Sequence, residues 1–184
     1  MADFLTDITT LRERARAEID KGPITEAYDA DLDRVIEVCN EALATEIVCV
    51  LRYKRHYYTA TGIHSEAVAR EFLEHAADEQ RHADRLAERI AQLGGSPDFD
   101  PARLSSRSHT EYDASLGLVE MIREDLVAER IAIASYTEIA QWIGDGDPTT
   151  RRLFEELLAD EEDHADDLSS LLERLPEDLR RSGS

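Results

Sequence analysis

The sequence predicts an all-α fold: a four-helix bundle with a long crossover between its second and third helices, plus a short N-terminal helix. Three observations carry this. The 184 residues include only 8 glycines and 5 prolines, and these cluster rather than scatter. Charged residues make up 34% of the chain and sit in long runs rich in Ala, Leu, Glu and Arg, a composition that favours helix. Within those runs the apolar positions recur in steps of three and four. The length suits one domain with a sizeable core. Residues 1–30 read as an N-terminal extension, 31–175 as the bundle and 176–184 as a C-terminal tail.

Each element has its own signals. Between residues 4 and 20, Leu5, Ile8, Leu11, Ala15 and Ile19 give a short amphipathic helix, which Gly22-Pro23 ends. The first bundle helix runs from about Asp31 to Ala60 and stops at Thr61-Gly62. Ser65 is the expected N-cap of the second, which ends at Gly94-Gly95-Ser96-Pro97. From Gly94 to about Asp113 helical periodicity is weak. The third helix spans about Ala114 to Ile143, and the run Gly144 to Pro148 breaks it. The fourth runs from near Thr149 to Leu175, with Pro176 behind it. Links of about four and about five residues make the first and last helix pairs antiparallel hairpins. The middle link, about 18 residues at about 3.3 Å each, can travel the length of a helix of about 28 residues. That excludes the simple up-down-up-down form.

The formal charge is −20, from 21 basic and 41 acidic residues. Such a balance opposes direct binding to a phosphate backbone. It suits a self-repelling particle with a solvated surface, or one that draws in cations. The N-terminus has acids where a signal peptide has bases, and no stretch of about 18 apolar residues exists to span a membrane, so a cytoplasmic protein is expected. Cys39 and Cys49 lie about 15 Å apart if both are on one helix, too far to bridge, and are expected as buried thiols.

Chemistry enters with a pattern that occurs twice: a lone Glu on one helix, then Glu-x-x-His on the next. The copies are Glu46 with Glu79 and His82, and Glu129 with Glu161 and His164, at Glu-to-Glu gaps of 33 and 32 residues. A tyrosine follows each lone Glu by seven residues, Tyr53 and Tyr136. All six acid and imidazole groups fall on seams that are otherwise largely apolar, such as Leu43-Glu46-Val50-Tyr53 and Leu157-Glu161-His164-Leu168. An unpaired carboxylate in a core costs many kcal/mol, so it must be paired, neutralised or bound to metal. Carboxylates with imidazole suit Fe and Mn, and positions i and i+3 can reach one ion from one helix. The two tyrosines either pack, hydrogen-bond a ligand carboxylate or donate an electron. His75, one turn before Glu79, is a candidate supporting group, whereas His56, His64 and His109 lack the matched glutamates of the repeat. The acids around Glu161, from Asp160 to Asp167, read mainly as a solvated face.

The segments Asp78 to Ile90 and Asp147 to His164 resemble the second and fourth helices of bacterioferritins, and residues 31 to 175 resemble the ferritin superfamily, including bacterioferritin-like members of the Dps-like group. The resemblance implies a ferritin-like bundle with an intrasubunit di-iron ferroxidase centre at Glu46, Glu79, His82, Glu129, Glu161 and His164. It makes Glu79 and Glu161 the bridging carboxylates and sets Tyr53 beside the centre. Two Fe ions per subunit are expected, with Mn as an alternative, together with O2 or H2O2 as oxidant and a homo-oligomeric shell storing ferric mineral. Gln80 stands where bacterioferritins carry a haem-ligating Met, so no haem is expected. Only Pro176 to Ser184 follow the fourth helix, where bacterioferritins have a fifth, which favours a dodecamer over a 24-mer. The cysteine pair that some relatives carry on the third helix is missing here. The alternating Arg12, Arg14 and Arg16 are a weak substitute for a DNA-binding tail. Two rivals remain: a rubrerythrin-like or manganese-catalase-like peroxidase without storage, and a metal-free acidic scaffold.

Overall fold

The computed structural model describes residues 6–62 and 65–177, and its regular structure is entirely helical. The expected starts of the N-terminal helix (residues 4 and 5), His64 and most of the C-terminal tail (178–184) lie outside the described residues. Helix α1 spans Ile8–Ala17, with a 3-10 turn at Ile19–Lys21 behind it. The bundle is α2 (Leu32–Thr59), α3 (Ser65–Gln92), α5 (Leu118–Ile143) and α6 (Pro148–Arg174), and a one-turn helix α4 (Leu104–Arg107) interrupts the crossover. No helix among the described residues is long and apolar enough to cross a membrane.

Local chemistry sets the ends. Asp7 caps α1 by accepting from the amides of Thr9 and Thr10, and Asp31 caps α2 through Arg34 N at 3.1 Å. Ser65 is the first helical residue of α3, and its hydroxyl donates to the Gly62 carbonyl at 2.8 Å. Gly94 closes α3 at φ +81°, a left-handed conformation that disfavours side chains. Next to it, a Cβ on Gly95 would come within 2.7 Å of the Ile36 side chain, so glycine lets α2 press against this corner.

Asp147 caps α6 through Thr150 N at 2.9 Å, with Pro148 at the first helical position. Its carboxylate also takes Arg89 Nη2 from α3 at 3.0 Å on both oxygens. Burial alone would raise this carboxyl, but the Thr150 and Arg89 hydrogen bonds outweigh it and hold the group below its ordinary range. The depressed value contributes stability above the unfolded-state pKa, and that contribution is lost as pH falls. Asp147→Ala should cost about 2–4 kcal/mol in urea denaturation, since a cap is lost and Arg89 is stranded. Asp145→Ala, on the neighbouring exposed ion pair with Arg151, should change little.

The two hairpins, α2 with α3 and α5 with α6, meet with α2 against α5 and α3 against α6. Contacts from Tyr53 to Glu129 and from Tyr136 to Glu46 show that α2 and α5 run antiparallel. The crossover lies along α2 and parallel to it. Asn40 Oδ1 accepts from Asp98 N, Thr45 Oγ1 from His109 N, and Arg52 and Arg55 donate to the carbonyls of Glu111 and Ala114. This ladder is why α5 starts at Leu118 rather than near Ala114 as its composition suggests. The interior is layered. One large apolar cluster holds Leu43, Leu86, Tyr136, Phe154 and Leu157; a second holds Tyr53, Phe72, Met121, Ile122 and Leu168; a small third, Ala44, Val48 and Leu104, lies under the crossover. Full burial of each such aliphatic or aromatic side chain is worth about 1.5–3 kcal/mol. Between the first two clusters lies a layer of charge.

Candidate metal centre

Glu46, Glu79, His82, Glu129, Glu161 and His164 converge in that layer, each at most 5% exposed. They form two sets. Glu46, Glu79, His82 and Glu161 each offer a ligand atom within 4.8 Å of the others, and so do Glu79, Glu129, Glu161 and His164. Glu79 and Glu161 belong to both. His82 Nδ1 lies 3.6 Å from Glu79 Oε2 and 3.1 Å from Glu161 Oε1, while His164 Nδ1 lies 3.5 Å from Glu79 Oε1 and 3.4 Å from Glu161 Oε2. Each of these two carboxylates therefore turns one oxygen to either side, as a bridging ligand must.

Helical spacing explains the convergence. In each Glu-x-x-His the two side chains rise from one face of one helix, and the lone glutamates enter from the facing helices. The hairpins then support one another crosswise. The Tyr53 hydroxyl of α2 donates to Glu129 Oε1 of α5, and the Tyr136 hydroxyl of α5 donates to Glu46 Oε1 of α2. His82 Nε2 lies 3.0 Å from Asp160 Oδ2, and His164 Nε2 lies 3.4 Å from Asp78 Oδ2. Each imidazole thus turns Nδ1 inward while a carboxylate from the other hairpin holds its far nitrogen, which fixes ring and tautomer.

Both tyrosines accordingly hydrogen-bond carboxylates, and within the largely exposed acidic face Asp160 also holds His82. The repeated motif is in fact Asp-Glu-x-x-His, at Asp78 to His82 and Asp160 to His164. His56, which lies outside the repeat, belongs to a separate buried group: its Nδ1 is 2.9 Å from Asp125 Oδ2, while its Nε2, without a hydrogen-bond partner, is 3.5 Å from Asp113 Oδ1. Asp125 also takes Arg52 Nε at 2.8 Å, and Arg52 reaches Cys49 Sγ at 3.6 Å. Sequence reading missed this buried network; its only signal was Asp125 one turn before Glu129. Cys39 and Cys49 are buried and unbridged, and burial pushes the Cys39 thiol up to about 12.

Without metal, protons carry the compensation. Burial, followed by the charges of Glu79 and Glu161, pushes Glu46 and Glu129 well above the usual carboxylate range. Burial would also raise Glu79, but the neighbouring Glu46, His164 and His82 outweigh it and hold Glu79 well below that range. Burial would lower His164, yet the Glu161 and Glu79 carboxylates, at 3.4 and 3.5 Å, push it up to about 11. Even so, Glu46 Oε2, Glu79 Oε1, His82 Nδ1, both Glu161 oxygens and His164 Nδ1 are buried without a hydrogen-bond partner. Orphaned acceptors and imidazole nitrogens aimed at shared points fit hard or borderline divalent cations. Binding must displace the protons, so affinity falls as pH falls.

A model of the ferritin-like domain matches residues 36–177. The chain belongs to the ferritin-like family. It is 34% identical over 146 residues to the bacterioferritin of Brucella melitensis, covering 77% of this chain and 84% of that one. With the "DNA protection during starvation protein" of Pyrococcus furiosus it shares 30% over 164 residues, covering 87% and 88%. Among solved structures, a dodecameric thioferritin from Bacteroides fragilis superposes on this ferritin-like chain with a TM-score of 0.75 at 32% identity, covering 78% of this chain and 87% of that one.

Proposed function

We propose that this ferritin-like protein is a ferroxidase that takes Fe(II) as substrate at an intrasubunit centre and stores the ferric product in a homo-oligomeric shell. The observation that carries the reading is the pair of ligand sets sharing Glu79 and Glu161, with their buried atoms left unpartnered. Two Fe(II) ions held together give one electron each, so the pair reduces O2 to peroxide, or peroxide to water, without releasing a one-electron oxygen radical. Glu46 with His82, and Glu129 with His164, hold the two positions from opposite hairpins, and Glu79 and Glu161 span them. Asp78 and Asp160 orient the imidazoles, and the tyrosine hydroxyls fix the lone glutamates. The flanking apolar clusters exclude water. Bacterioferritin relatives support iron storage, and the dodecameric thioferritin supports a twelve-subunit shell. Neither haem nor nucleic acid is part of the proposal: Gln80 follows the bridging Glu79, and the chain carries −20.

Stopped-flow oxidation of Fe(II) tests the chemistry. Glu79→Ala and His82→Ala should each slow it by on the order of 100-fold or more, because even supporting groups of metal sites are worth 10–100-fold. Helical content should stay unchanged. Wild-type kinetics in both variants would sink the assignment. Native mass with and without added iron tests storage: a particle of twelve 20.8 kDa chains that gains mass on iron loading is expected. A dimer that turns over peroxide without mineral would favour the peroxidase reading instead.

A further inference from the structure

Beside the centre, α3 and α6 form a groove of about 220 Å³ walled by Glu71, Glu74, Asp78, Asp160, Asp163 and Asp167. Its one guanidinium, Arg81, is paired with Asp78. At the floor sits His75, 2% exposed, its ring stacked on that of His164 with centroids 4.1 Å apart. His75 Nδ1 lies 3.2 Å from the Tyr53 hydroxyl oxygen. That hydroxyl has a single proton and donates it to Glu129, so towards His75 it can only accept. The ring hydrogen is therefore on Nδ1, and Nε2 presents a lone pair.

That lone pair has no hydrogen-bond partner and faces two carboxylates, Glu71 Oε1 at 3.5 Å and Asp167 Oδ2 at 3.8 Å. Three acceptors turned on one point repel one another. A cation seated among them converts the conflict into coordination, and the three atoms lie within 4.8 Å of each other. Glu71 and His75 are one turn apart on α3, and Asp167 comes across from α6. We infer that Glu71, His75 and Asp167 form a third site for a divalent first-row cation, a holding position for Fe(II) on the flank of the centre. It rests on the ferroxidase reading for its role, but its ligands are its own. One nitrogen and two carboxylates with an open side suit such an ion, with water completing the shell. The site occurs once per chain, because the residue matching His75 in the second copy of the repeat is Leu157.

Anaerobic equilibrium dialysis against Co(II), which binds without being oxidised, tests this together with anomalous scattering from Co(II)-soaked crystals. The comparison is wild type against Glu71→Gln with Asp167→Asn, near-isosteric changes at partly exposed side chains. Three Co(II) per chain falling to two, with loss of an anomalous peak beside His75 Nε2, is the expected result. Fe(II) uptake at limiting iron should slow several-fold in the variant. Two Co(II) in both proteins, or three in both, overturns the third site and leaves the centre standing. No tight Co(II) in either overturns the di-metal reading as well.

Discussion

Glu46→Gln combined with Glu129→Gln should raise the melting temperature of chelator-treated protein at pH 7. The same variant should lose fast Fe(II) oxidation, by on the order of 100-fold or more. Both effects follow from one fact. In the metal-free chain these carboxyls are pushed up by burial and by the charges of Glu79 and Glu161, so the folded state holds protons that the unfolded state gives away. A raised carboxyl contributes its full stability only below the unfolded pKa, and that contribution fades as pH rises towards the folded one. Each unit of the shift is worth about 1.4 kcal/mol, and each kcal/mol about 2–4 °C in a chain of this size. Glutamine has the shape of the protonated acid, can still accept from Tyr136 or Tyr53, and has no acidic proton to lose. A differential scan at pH 7 and another near pH 4 separate the cases: the gain should be present at the first and shrink at the second. Equal or lower melting at pH 7 would show that the cluster is not under the strain described.

The second large effect is at Asp125. Asp125→Ala should destabilise the protein by about 3–5 kcal/mol and lower its melting temperature by roughly 10 °C or more. The carboxylate is fully buried against Arg52, itself 2% exposed, and removing it strands a guanidinium with no water to turn to. His56 loses its Nδ1 partner in the same step. Arg52 also holds the Glu111 carbonyl at 3.0 Å, so the crossover should loosen, visible as faster amide exchange around residues 108–114. Replacing both members, Arg52→Met with Asp125→Leu, should recover much of the loss, because an apolar pair pays no desolvation cost. A drop below about 1 kcal/mol in Asp125→Ala would show that the pair is not isolated from solvent.

Long periodic segments were readable because burial repeats with the helix. The first and last bundle helices, expected at about Asp31 to Ala60 and Thr149 to Leu175, are observed at Leu32–Thr59 and Pro148–Arg174. The turn at Leu104–Arg107 was not readable, since Arg107 ties it to the Asn40 carbonyl of α2 and its own residues carry little period. On α5 the apolar Leu126 and Ile133 are only half-buried, whereas the charged Asp125 is fully buried. An Asp reads as outward-facing unless its partner is known, and Arg52 is 73 residues away. The six convergent acids and imidazoles were legible because the repeat displays them twice. The residues that break the repeat, His75, His56 and Arg52, were invisible as a group, because only the folded chain brings their partners Tyr53 and Asp125 to them.

The crosswise support has a consequence for timing. The first hairpin carries Glu46, Glu79 and His82, yet the groups that steady Glu46 and His82, Tyr136 and Asp160, are translated later. Until the second hairpin docks, a chain leaving the ribosome displays three loose donors on a lone helix pair rather than a reactive pocket. Under the proposed ferroxidase function, iron oxidation would be postponed until the bundle has closed, when the ferric product could be delivered to an assembled particle instead of precipitating on a nascent one.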